Sequence, residues 1–433
     1  MAIRRFLHAR VALTTAIAAI VAAVWIAPRV TSARLRPTDF DLELRRMEDE
    51  IAALTKRAAA STDQIPDAES AVRVAYVLFR RASLTGRPED FDATQAGVDR
   101  ARASAGPMPE LSLLQATLDV RFHRLAAARL ALERVRGADA TWVSDSPDAQ
   151  ALLADIDVQD GRYDAAAARL NDVARRRRTW DILSRLAYIE SRRGDIEAAD
   201  RMYAEAEDEV TAKEMRAYAW LELQRGQVQF GRGRYDAALA HYTRARQAYS
   251  GHWLADEYLA ELLGAQRKFD EAIDLYRRAI ARAPRPDLLQ QLGDLYAYMG
   301  KPRDAKRWHD EALAGYLASV GRGEVQFVHH LAAFYADVAQ DGSRAIEWAR
   351  NDAALRRGYV TDDALAWALY RGGRMTEALD AATAALASGI ADAHVYFHAA
   401  TINTAAGRVD AGRRLLGQLA AINPRYDDFH VHR

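Results

Sequence analysis

Residues 267–284 read RKFDEAIDLYRRAIARAP. Small or apolar side chains at Ala272, Tyr276 and Ala279 fall three to four apart and charged ones fill the other face, so the spacing predicts an amphipathic helix that Pro284 closes. The same phrase returns as GRYDAALAHYTRARQAY from Gly233 and as GRYDAAAARL from Gly161. The small residue in the fourth position of each such run stands at Thr94, Ala128, Ala166, Ala199, Ala238, Ala272, Ala305, Ala345, Ala378 and Gly412. The intervals between them are 34, 38, 33, 39, 34, 33, 40, 33 and 34 residues. Such a period implies one helical hairpin per unit, stacked on its neighbours so that a continuous apolar core is shared.

The content of each unit agrees. In PDLLQQLGDLYAYMGKPRDAKRWHDEAL, residues 286–313, a first helix carries Leu289, Leu292, Gly293 and Tyr296. Gly300 ends it, and Ala305 and Ala312 lie seven apart on a second helix where a small side chain permits close approach. The unit from Trp253 repeats this plan with Leu259, Ala260, Leu263 and Ala272, and the unit from Ala393 with Ala399, Ala400, Gly407 and Leu416. These residues resemble the tetratricopeptide repeat family over about ten units, Ala71 to Pro424. The resemblance implies an all-α, right-handed superhelical solenoid. DDALAWALYRGGRMTEALDAATAAL, 362–386, resembles the C-terminal units of bacterial members. Membrane-anchored relatives in that wider family act as assembly factors, scaffolds or periplasmic chaperone partners.

Two segments stand outside the repeat. Val11–Ala27 is 17 residues without a charge, behind Arg4, Arg5 and Arg10. Its length lies between a signal peptide's apolar region and a spanning helix. The expectation is one apolar anchor over 1–36 in an inner, cytoplasmic membrane with the bulk extracytoplasmic; the alternative is a cleaved signal and a periplasmic chain. Leu44, Met47, Ile51, Leu54 and Ala58 then mark a linker helix within 37–66, or a cap on the first unit, ahead of a solenoid over 67–433.

Composition removes several chemistries. There is no cysteine, so disulfides and thiolate sites are excluded. Sixty basic residues balance sixty acidic ones, which supplies no broad positive field for nucleic acid. Phosphate-loop, GxSxG and HExxH motifs are absent. The run Arg175–Arg178 sits where a second helix should end; it complements the helix dipole or pairs with the acidic cluster at Glu205, Glu207, Asp208 and Glu209. A lipid- or nucleic-acid-binding patch is the sharper alternative. His394 and His398, four apart, face one side of a helix, and the tail residues His430 and His432 stand near in sequence. Zinc needs a third ligand, so the expected roles are packing ones, with no metal and no cofactor.

By the resemblance, partners bind the concave surface that the first helices line. Its exposed positions map to Asp148, Asp155, Asp181, Tyr188, Glu257, Glu261, Asp287, Asp294, Tyr298, Phe327, His330, Phe334, Trp367 and Tyr370. The tentative binding set is Asp155, Asp181, Tyr188, Glu257, Glu261, Asp287, Asp294, Tyr298, Phe334 and Trp367. Such an acidic, aromatic-edged groove suits an extended or helical protein segment bearing arginine or lysine, unless these carboxylates are a solvated face and the convex side binds. The expected function is a non-enzymatic scaffold or assembly factor of the cell envelope. The rivals are a chaperone-like holder of exported proteins and, more remotely, a metal-dependent enzyme. A small-molecule substrate is not expected.

Overall fold

The computed structural model describes residues 36–60, 68–138 and 140–430. Among these there is no strand. Ten helical hairpins follow one another, the first Ala68–Thr85 with Pro88–Ala105 and the last Ala393–Ala405 with Val409–Ile422. The periodic small residue lies in the second helix of every hairpin and is buried in all ten, from Thr94 and Ala128 to Ala378 and Gly412. A larger side chain there would hold the two helices apart. At the last unit even a methyl is too much: a Cβ on Gly412 would lie 2.1 Å from Thr404 Oγ1 and 3.0 Å from the Ala400 carbonyl oxygen.

The three long intervals have separate causes. An extra short helix, Ala140–Asp145, precedes Pro147–Gln159. A turn over 209–214 precedes the 16-residue helix Met215–Phe230. Helix Pro302–Gly321 runs to 20 residues, and the following first helix loosens into one π-turn over Phe334–Val338. Local chemistry sets the ends. Pro109, Pro147, Pro286 and Pro302 open helices, where the missing N–H costs nothing. The side chains of Ser146 and Asp195 accept from Ala149 N and Ala198 N and so cap two more. Gly300 turns between paired helices at φ 71°, with Lys301 N donating to Tyr296 O at 2.9 Å.

Helix Asp39–Ala60 packs on two places in the chain at once. Phe40, Met47 and Leu54 join Val74, Val77 and Leu78 of the first hairpin in one apolar cluster with Tyr249, Trp253 and Tyr276. Hydrogen bonds repeat this long reach. Phe40 N donates to Ser250 O at 3.1 Å. Tyr249 OH donates to Glu43 across 206 residues, Arg87 to Arg282 O across 195, Arg192 to Asp392 across 200 and Tyr235 to Asp428 across 193. Two hundred residues is about six periods of 34. The superhelix therefore completes a turn in about six units, and successive turns touch. Glycines admit the closest approach: a Cβ on Gly161 would stand 3.0 Å from Gly358 Cα.

One expectation is corrected here. Among the described residues no helix is long and apolar enough to cross a membrane. The longest, Asp39–Ala60, carries charges along its whole length. The single-pass membrane placement with an extracytoplasmic bulk, and the membrane as a partner, are withdrawn. The segment 1–35 on which they rested lies outside the described residues.

Candidate functional site

Because successive turns touch, the concave face is divided into half-open cavities rather than one continuous groove. Two cavities occupy it. The wider, of about 1350 Å³, is walled by helices Asp39–Ala60, Trp180–Arg193 and Met215–Phe230 and by the ends of their neighbours. Trp180, Tyr188 and Trp220 supply aromatic surface, and charges of both signs face the space. The negative ones are taken up internally. Arg185 donates to both oxygens of Asp155, at 2.9 and 3.0 Å, and reaches Asp181 at 3.4 Å. Glu43 pairs with Arg216 at 3.4 Å.

Four cations in that cavity have no such partner among the described residues. No carboxylate among them lies within ion-pair distance of Arg46, Arg80, Arg121 or Lys213, all of which are exposed and line the space. The Arg121 guanidinium stacks over Phe91 at 4.8 Å. Surrounding protein, and then the charge of Arg285, draw its pKa down to about 10. It stays protonated at neutral pH and keeps its positive charge.

The second cavity, of about 450 Å³, lies between helix Trp180–Arg193 and the C-terminal hairpins. Helices Tyr359–Arg371 and Ala393–Ala405 are first helices of adjacent units, so their inner faces meet. Asp363 on one and His394 and His398 on the other each offer a ligand atom, all three within 4.8 Å of one another. His398 Nδ1 is hydrogen-bonded to Asp363 Oδ2 at 2.9 Å, and its buried Nε2 has no hydrogen-bond partner. The Trp367 ring stacks on the His398 ring at 4.1 Å, while its Nε1 donates to Asp337 at 2.9 Å. His394 Nδ1 is 2.8 Å from Tyr426 OH, and His430 stands 6.4 Å from the His394 ring on the far side.

The expected groove residues scatter over this interior. Asp155 and Asp181 line the wide cavity, Glu261 and Trp367 the narrow one, and Tyr188 both. Glu257, Asp287, Asp294, Tyr298 and Phe334 line neither. Asp287 is buried and gripped by Arg285 at 2.7 and 3.0 Å, which outweighs burial and keeps its carboxyl below the usual range. Asp294 accepts from His309 at 2.8 Å, and Glu257 from Gln291 at 2.9 Å. Tyr298 packs on Phe429 at 5.5 Å, and Phe334 is core beside Tyr316 and His309. The arginine run is likewise paired: Arg175 and Arg176 with Asp172, Arg177 with Asp148 and Arg178 with Glu205.

Residues that sequence reasoning passed over are Arg80, Arg121 and Asp363. Asp363 precedes His398 by 35 residues. That is one residue more than the 34-residue interval from Ala378 to Gly412, so subtracting the period from His398 lands on its neighbour Ala364 and only marks the stretch in which Asp363 lies. No comparable signal marks Arg80 and Arg121, whose isolation depends on which carboxylates arrive from other units.

Residues 223–285 match the family described as tetratricopeptide repeat. The solenoid is of the tetratricopeptide type. Residues 147–253 also match the TT21 fifth ARM repeats domain, another helical-repeat description. No curated protein matches the sequence. Among solved structures the chain is similar to the APC/C hetero-tetramer Cut9–Hcn1, with 14% identity over 89% of this chain and 80% of that one and a TM-score of 0.44. It is similar to the human IFIT1 dimer with PPP-AAAA at 14% identity, over 86% and 94%, TM-score 0.42. A tetratricopeptide repeat protein from Parabacteroides merdae ATCC 43184 matches at 16%, over 56% and 93%, TM-score 0.35. At such identities and scores none of them bears on what this chain binds. Stacked helical hairpins of this type present extended surfaces and commonly mediate protein–protein interaction.

Proposed function

We propose that this protein is a non-enzymatic scaffold that takes an extended segment of a partner protein into the wide interior cavity. The observation that supports the reading is the set of cations with no carboxylate partner among the described residues, Arg46, Arg80, Arg121 and Lys213, lining a half-open cavity of about 1350 Å³ beside Trp180 and Trp220. Asp155 and Asp181 are already satisfied by Arg185. The charge left over for recognition is therefore positive, and the segment it fits carries carboxylates among apolar residues. In a partly enclosed site a carboxylate–guanidinium contact is less screened than on an open surface. The envelope setting is not carried forward, since it rested on the membrane span.

Selection of a displayed random-peptide library on the full chain tests this. Wild type should enrich acidic, extended sequences, and the double reversal R80E/R121E should lose them while keeping its helical circular dichroism. Enrichment of basic sequences, or selection unaffected by the reversal, would overturn the reading.

A further inference from the structure

We propose a second, independent site: Asp363, His394 and His398 bind a divalent transition metal of the zinc class, with a further coordination position open to the narrow cavity. Two imidazoles and one carboxylate are a donor set that zinc accepts while keeping one position for an outside ligand. Three ligand atoms within 4.8 Å of one another need only small side-chain movements to converge. The Asp363 oxygen and His398 nitrogen, 2.9 Å apart, already stand near the spacing of two ligands on one ion with bonds of about 2.0–2.1 Å. The metal would take the place of the proton they share, which leaves to solvent.

The surroundings fit a built site better than a packing contact. The three residues come from two rigid first helices, not from loops. Neighbouring groups hold the rings in place: Trp367 stacks flat on His398 at an interplanar angle of 12° and is itself anchored by Asp337, and Tyr426 holds His394. Supporting contacts of this kind orient metal-binding imidazoles. The cavity of about 450 Å³ gives the ion a route in and gives its open position room for a small ligand such as water or a carboxylate.

The test is titration of zinc into the full chain after dialysis against chelator, followed by calorimetry. One zinc per chain should bind, and H394Q and D363N should each weaken it at least tenfold. Cobalt(II) in place of zinc should give the visible absorption of a four-coordinate nitrogen–oxygen site and quench fluorescence from Trp367, with less quenching in W367F. D363N is nearly isosteric, so it guards against loss of binding through unfolding; each variant's thermal unfolding is recorded beside the titration. Absence of stoichiometric zinc overturns the site. Equal binding by wild type, H394Q and D363N, or binding lost only in H432Q, identifies an adventitious ion only and overturns it equally.

Discussion

Glu222 and Glu257 are carboxylates on first helices of consecutive hairpins, and their surroundings drive them opposite ways. Burial pushes Glu222 up, but His241, Arg244 and Tyr218 hydrogen-bond its charged form and hold it near 2. The unfolded chain binds that proton more readily, so this contribution is present above about pH 4.5 and fades as pH falls toward 2. E222Q should cost about 2 kcal/mol at pH 7 and much less at pH 3, read as the difference in urea midpoints. Glu257 has burial first and then the Asp287 charge against ionisation, which lift it to about 8. Here the folded state keeps a proton that the unfolded chain releases, so stability falls as pH rises from about 4.5 to 8. E257Q should remove that part of the fall in melting temperature between pH 5 and 8.5; an unchanged slope would show that Glu257 ionises normally.

At the scale of the helix pair, contact distance follows from small residues rather than from propensity. Gly226 in Met215–Phe230 faces the buried ring of Tyr242 in Tyr235–Ala248; an added Cβ would lie 2.2 Å from it. Alanine is the better helix former, yet G226A should destabilise by about 1–3 kcal/mol because the ring has nowhere to move. G417A, on a second helix where an added Cβ meets nothing within 4 Å, should stabilise slightly. If thermal melts rank the two variants the other way, propensity outweighs packing in these hairpins. The hairpins themselves were legible in the sequence because each is built from contacts between residues close in the chain. The π-turn at Phe334–Val338 and the extra helix Ala140–Asp145 were legible only as intervals four to six residues too long.

Across the whole molecule, the touching turns set the shape of the interior. Trp253 Nε1 donates to Leu84 O, and Gly86 leaves room for that indole, since a Cβ there would sit 2.7 Å from it. The approach of Gly161 to Gly358 makes a second such seam. A wedge in both, G86L with G161L, should loosen the coil without melting the hairpins. Small-angle X-ray scattering should then show a larger radius of gyration at unchanged helical content. An unchanged radius would mean that the stacking angle between neighbouring hairpins, not contact between turns, fixes the pitch.

The sequence by itself determined the repeat: its period, its ten units and the small residue in each second helix. Those features rest on spacings of 3, 4 and 34 residues, which a linear chain displays directly. Tertiary structure decided how tightly the units coil. A small rotation per unit, summed over about six of them, brings residues about 200 apart into contact and turns a groove into two cavities. Packing within and between neighbouring units put Arg285 on Asp287 and Arg185 on Asp155 and set Asp363 beside His398, while among the described residues no carboxylate came within ion-pair distance of Arg121. Contact between turns depends on the accumulated angle between units, and charge pairing and ligand convergence on how side chains of facing helices meet in space; spacing along the chain encodes neither.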